Sequence, residues 1–263
     1  MLLENKTAVI YGAGGEVGGA VARAFGREGA RLFLSGRDRA KVDAVAKDIR
    51  AAGGVAETAR VDALDERAVD QYLGEVVEKT GAIDISFSAV GIANTTLQGT
   101  PLVDLSLDDF SLPIATYTRS HFLTARLAAR RMIAKRSGVI LTITAIPARL
   151  GLPFIGGMPA AWGAVEAFTR SLSAELAPQG VRVVCLRSAG MPETGTIREV
   201  VGLHAKALGI TRAQFLTAVE EQSHLRRLPT LAEFANVAAF VASEQAGAMT
   251  GTVVNLSGGS VAD

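Results

Sequence analysis

Short apolar runs alternate along this chain with longer segments in which apolar positions recur every three or four residues. The short runs, bounded by glycine or polar turns, predict strands over residues 7–11, 31–35, 55–60, 83–88, 138–144, 181–187 and 252–256. The longer segments predict helices over residues 17–28, 39–51, 66–80, 108–135, 160–177 and 231–243. Gly138, Gly180 and Gly251 punctuate the ends of these segments. Regular strand–helix alternation suits a parallel sheet, because a parallel strand can only be re-entered through a crossover. The expected fold class is therefore α/β, a doubly wound sheet of seven parallel strands with helices on both faces, in one domain over residues 1–263.

One stretch breaks the alternation. Residues 192–229 carry Ile197, Val200, Val201, Leu203, Phe215, Leu216 and Val219 at roughly helical spacing, which predicts one or two amphipathic helices. Their place after the sixth strand is where such sheets bind ligands, so the segment is read as a lid over a pocket at the strand ends.

Composition narrows the function classes. A chain of 263 residues, 49% hydrophobic, buries a sizeable core in one domain. Its net charge of +1, with both signs interspersed, offers no basic stripe for a nucleic acid. The single cysteine, Cys185, lies in an apolar strand; it excludes an internal disulfide and reads as a small core residue. No basic segment followed by an apolar stretch marks the N-terminus, and a cytoplasmic location is expected. The longest weakly charged stretch, residues 150–165, is interrupted by glycine and proline and is too short to span a bilayer. No spacing of His, Cys and carboxylates suggests a metal site.

The candidate chemistry begins directly after the first strand. Gly12, Gly14, Gly15, Gly18 and Gly19 open the first helix. Glycines there permit a tight turn, let a pyrophosphate approach backbone N–H groups, and let the helix pack closely on the strand. The second strand ends in Gly36 and Arg37, where a carboxylate would select the ribose 2′-hydroxyl of NAD. A cation there favours a 2′-phosphate instead, so NADP(H) is the expected cofactor, with NAD(H) as the alternative.

Gly12, Gly18, Arg37, the pair Val61 and Asp62, and Gly91 together resemble, in order and spacing, the short-chain dehydrogenase/reductase family. The similarity continues through Ala164 to Leu172, Gly180 to Val183, Gly190 to Thr194 and the C-terminal Gly251, Gly258 and Gly259, and so covers essentially the whole chain. It implies a Rossmann-type fold, with Asp62 near the adenine, Ala89 and Gly91 beside the adenosine and Thr194 at the carboxamide. Three departures stand out. Glu16 replaces a loop glycine, Ser88 and Ala89 replace two asparagines, and Ala189 replaces the proline before Gly190. The Glu16 carboxylate would repel a pyrophosphate unless it swings out or caps an N–H.

The larger departure is in the chemistry. The resemblance implies an Asn-Ser-Tyr-Lys tetrad, and its four positions hold Tyr117, Ala145, Met158 and Trp162. An unperturbed phenol titrates near pH ~10 and needs a neighbouring ammonium before it can exchange a proton near neutrality. No register restores that pair: Gly15, Val76 and His121 lie four residues after the three tyrosines, Tyr11, Tyr72 and Tyr117. Weak substitutes are Tyr117 and His121, one turn apart on a helix, and Thr144 at the end of the fifth strand. Trp162 is read as a plug in the lysine's space and Met158 as apolar pocket lining, while His204 and His224 are expected at the surface.

Three readings follow. The first is an NADP(H)-linked oxidoreductase acting on a small apolar organic substrate without the tyrosine relay. The second is a non-redox cyclase, dehydratase or isomerase using Tyr117 and His121. The third is a catalytically silent dinucleotide-binding or assembly subunit. By resemblance, the long helices around Tyr117 and Ala167 imply a homo-oligomer, tetramer or dimer.

Overall fold

All seven strands form in the expected order, and their register places every one of them parallel to its neighbours. The computed structural model describes residues 1–262. Its strands are β1 (Thr7–Tyr11), β2 (Arg31–Gly36), β3 (Val55–Arg60), β4 (Ile85–Ser88), β5 (Gly138–Ala145), β6 (Val181–Ser188) and β7 (Val253–Leu256). The helices are α1 (Glu16–Arg27), α2 (Arg39–Ala51), α3 (Glu66–Thr80), α4 (Leu107–Lys135), α5 (Met158–Leu176), α6 (Gly195–Leu208), α7 (Arg212–Glu221) and α8 (Leu231–Ala242). The sheet is a single Rossmann-like α/β domain with strand order β3-β2-β1-β4-β5-β6-β7.

Local chemistry explains why the helices start where they do. The side chains of Asp38 and Asp65 accept hydrogen bonds from the first-turn N–H groups of α2 and α3. Thr230 and Glu233 form a reciprocal capping box at the start of α8, as Thr211 and Gln214 do at α7. Along α3, Val69, Tyr72, Leu73 and Val76 form one buried stripe, in which Val69, Leu73 and Val76 each contribute about 1.5–3 kcal/mol through burial.

Two apolar layers sandwich the sheet. On one face, Val21 and Phe25 of α1, Val42 and Ile49 of α2, and Phe234 and Val241 of α8 pack on alternate strand residues. On the other, α3 joins Leu127, Ala128 and Met132 of α4 and Leu176 of α5. Cys185 lies fully buried in this framework.

The strand order reverses between β1 and β4, so the chain after each strand leaves in opposite directions and opens a crevice at the strands' C-terminal ends. The segment over residues 192–229 contributes two helices, α6 and α7, beside that crevice. Among the described residues, no helix is long and apolar enough to cross a membrane.

Candidate active site

A cavity of about 1250 Å³ runs from the glycine loop after β1 to the apolar faces of α6 and α7. Gly12 adopts φ +70°, and a Cβ on it would lie 2.4 Å from the Ala89 carbonyl oxygen. A Cβ on Gly18 would come equally close, 2.4 Å, to the carbonyl oxygen of Gly12, while one on Gly14 would meet Lys41 Cβ at 2.8 Å. These three glycines let the loop fold back on itself and on α2. Gly91 differs: a Cβ there would meet nothing within 4 Å, so its missing side chain leaves space.

The loop delivers the start of α1 to the cavity. Gly15, its N-cap residue, offers no side-chain cap, so first-turn N–H groups remain available to an anion. Along the same wall, Arg37 and Lys41 supply exposed cations, and the neighbouring Asp38 carboxylate caps α2 through one oxygen and faces Lys41 Nζ at 3.8 Å with the other. Asp62 lines the cavity with one carboxylate oxygen turned to the Leu64 N–H at 3.0 Å, and Ala89 lines the same cavity. Thr194 is buried; its hydroxyl donates to the Met191 carbonyl at 2.8 Å and accepts from the Ile197 N–H at 3.2 Å, capping α6. An uncapped helix start, a glycine loop whose close turns no Cβ would permit and adjacent cations fit a phosphorylated dinucleotide.

Glu16 does not project toward that cradle unpartnered. Its carboxylate accepts a hydrogen bond from the Gly195 N–H and faces the Arg198 guanidinium at 3.7 Å. Of the two outcomes open to it, capping an N–H is realised, but on α6 and not on its own helix.

The four residues that the resemblance sets at the tetrad positions separate. Ala145, Tyr117 and Trp162 line the cavity, and the Tyr117 and Trp162 rings lie 6.2 Å apart at 43°. Met158 corrects the reading of pocket lining. It is 1% exposed and packs with Leu97 and Ile155 beneath the cavity wall, because the first turn of α5 faces inward. The Thr144 hydroxyl is turned to the Glu166 carboxylate at 3.1 Å, in a buried cluster where Glu166 also accepts from Arg187 Nε at 2.8 Å.

Tyr117 and His121 share a helix face but not the cavity. His121 is 1% exposed, and its Nδ1 donates to the Tyr117 backbone carbonyl at 2.9 Å. Nε2 of the same ring has no partner, and burial pushes the imidazole down to about 4 despite the Tyr117 carbonyl. Burial pushes the Tyr117 phenol up to about 12, partly offset by the Ile92 backbone. The phenol therefore stays protonated near neutrality and suits donation of a hydrogen bond, not service as a base.

His204 is a second correction. It was expected at the surface, yet it is 4% exposed and lines the cavity, clamped between the rings of Phe154 and Phe215. The sequence held a signal: Val201, His204 and Ala205 share one stripe of α6, and all three are buried. His224 is exposed, as expected. Asn94 and Gln98, which form a buried chain with His204, carried no pattern that marked them.

Comparison with known proteins matches this architecture. A family model described as enoyl-(acyl carrier protein) reductase matches residues 12–260. The chain is 31% identical over 260 residues to an uncharacterized oxidoreductase, YxbG, of Bacillus subtilis (strain 168), covering 99% of this chain and 92% of that one. It is 29% identical over 257 residues to the 3-oxoacyl-(acyl-carrier-protein) reductase FabG of Chlamydia pneumoniae, covering 98% and 97% of the two chains. A crystal structure of a short-chain type dehydrogenase/reductase from Mycobacterium marinum superposes with a TM-score of 0.83 at 25% identity, over 99% of this chain and 97% of that one.

Proposed function

The chain belongs to the short-chain dehydrogenase/reductase family of nicotinamide-dependent oxidoreductases, and on that premise we propose that it is an NADP(H)-linked oxidoreductase working without the family's tyrosine–lysine proton relay. The observation that carries this reading is the continuity of one cavity. It joins the glycine cradle to a wall lined by Ala145 and Trp162, the residues that the resemblance sets at the serine and lysine positions. A bound reduced nicotinamide would supply hydride; the chain's residues bind, orient and keep out water.

In this reading Gly12, Gly14 and Gly18 let the backbone close around a pyrophosphate. Arg37 meets the 2′-phosphate, which is why NADP(H) is favoured over NAD(H). Asp62, Ala89 and Gly91 line the adenosine side, and Thr194 offers its hydroxyl oxygen on the carboxamide side. The apolar wall selects a small apolar organic substrate, and Tyr117 serves as a hydrogen-bond donor to it. With no residue at Met158 or Trp162 able to deliver a proton, protonation comes from water or from the substrate, as conjugated alkenes and imines allow.

The non-redox alternative through Tyr117 and His121 gains nothing from the geometry, since His121 lies off the cavity. We further propose a cytoplasmic homo-oligomer, tetramer or dimer, assembled through α4 and α5. There Phe122, 44% exposed, meets Phe168 edge-on at 6.0 Å between ring centroids. Following nicotinamide absorbance with a panel of apolar enones and imines tests the reading: NADPH consumption with at least one supports it, and none with any defeats it.

A further inference from the structure

Three buried polar side chains on the lid side of the cavity form a directed chain. The Ile92 backbone carbonyl can only accept, so Asn94 must present Nδ2 to it, at 3.3 Å. Asn94 Oδ1 then accepts from Gln98 Nε2 at 2.7 Å, which leaves Gln98 Oε1 as the acceptor facing His204 Nε2 at 3.1 Å. His204 Nε2 must therefore carry the ring proton. Burial holds the imidazole below its ordinary value, which favours the ring with a single proton. Its Nδ1 is thus a bare lone pair, and this atom has no partner among the described residues and is not sealed from solvent.

The ring is held firmly. Phe215 tilts over it at 5.4 Å between centroids, and Phe154 meets it edge-on at 6.5 Å. Phe154 adopts φ +61°, a conformation costly for a residue with a Cβ, and Gly99 N–H anchors its carbonyl at 2.8 Å. Strain of this kind persists where surrounding contacts over-determine it, as at a ligand clamp. Glu199, the other strong acceptor that α6 brings to the cavity, accepts from the Thr95 hydroxyl through one carboxylate oxygen at 2.5 Å.

We infer that His204 Nδ1 is the anchoring acceptor for a substrate hydroxyl, so that the cavity takes apolar molecules bearing one hydroxyl donor, with Gln98 and Asn94 as positioning residues that fix the histidine's tautomer. The inference rests on the reading of this cavity as the substrate site and adds the substrate's chemical class. An apolar body lies against Leu152, Ile155 and Leu216, and its donor finds a lone pair prepared for it. A site built around one buried hydrogen bond discriminates strongly against an analogue that cannot make it.

Nitrogen-15 NMR of the full chain, which has three histidines, reads the tautomer directly. His204 is expected to show a protonated Nε2 and a lone-pair Nδ1, and 4-tert-butylphenol should shift Nδ1 whereas its methyl ether should not. By calorimetry the phenol should bind about tenfold tighter than the ether. That preference should vanish in His204→Phe, which keeps the ring stacking, and shrink in Gln98→Met, which frees the tautomer. A proton on Nδ1, an unmoved Nδ1 with phenol at its solubility limit, or a preference that survives His204→Phe would overturn the inference. NADPH titration of the same proteins separates the two claims: absent cofactor binding defeats the redox reading and leaves the His204 result standing.

Discussion

The Glu16 carboxylate accepts a hydrogen bond from the Gly195 backbone N–H across 2.5 Å, joining the first residue of α1 to the first residue of α6. Both helix N-termini carry partial positive charge, so one carboxylate serves two dipoles and ties the α6–α7 segment to the glycine loop. Glu16→Gln removes a negative charge from beside the glycine loop, near the proposed pyrophosphate site, and weakens the tie. NADPH affinity should rise severalfold, a gain of roughly 1 kcal/mol or less for so exposed a group. Calorimetric titration of the variant beside the parent protein checks it; unchanged or weaker binding counts against this role.

The glycines should divide by what a methyl group would strike. Gly18→Ala drives a Cβ into the Gly12 carbonyl and should cost on the order of 2 kcal/mol or more in stability. Gly91→Ala meets nothing, so its stability should change by no more than about 0.5 kcal/mol. Urea unfolding of both variants decides whether the two positions differ in this way.

Glu166 and Arg187 form an ion pair with side chains 4% and 2% exposed, and Glu166 also receives the Thr144 hydroxyl. Glu166→Ala leaves the guanidinium buried without that counter-charge, and about 3–5 kcal/mol should be lost. A near-neutral result in chemical denaturation would mean that water or a rearranged neighbour replaces the carboxylate.

His121 links stability to acidity. Its folded-state value, about 4, lies below the ordinary histidine value of 6.5, so the unfolded chain binds the proton more readily between them. The stabilising contribution is complete above pH ~6.5 and is lost progressively as pH falls toward ~4, to a total of roughly 3 kcal/mol. Denaturation midpoints measured across that window should fall with acid, and His121→Leu should flatten the slope. An identical slope in the variant would assign the effect elsewhere.

Much of this molecule is written locally. Strand periodicity, the caps Asp38 and Asp65 and the glycine loop depend on neighbours in sequence, and β1, α2, β3 and α3 appear with the expected bounds. What escaped the sequence depends on distant partners. Glu16 meets Gly195 only because β1 and β6 end on the same side of the sheet, 179 residues apart in the chain. Met158 turns to Leu97 and Ile155, contacts no helical period specifies. A surface position is the expectation for His204, although its stripe on α6 points inward and Gln98, 106 residues away, satisfies it.

Titration of NADPH and NADH into the purified protein and into Arg37→Ala tests the central claim most directly. Saturable NADPH binding is expected, tighter than NADH, with the Arg37→Ala substitution weakening NADPH roughly tenfold or more and leaving NADH nearly unchanged. No saturable binding of either dinucleotide would contradict the account, and equal loss of both in Arg37→Ala would contradict its NADP(H) assignment.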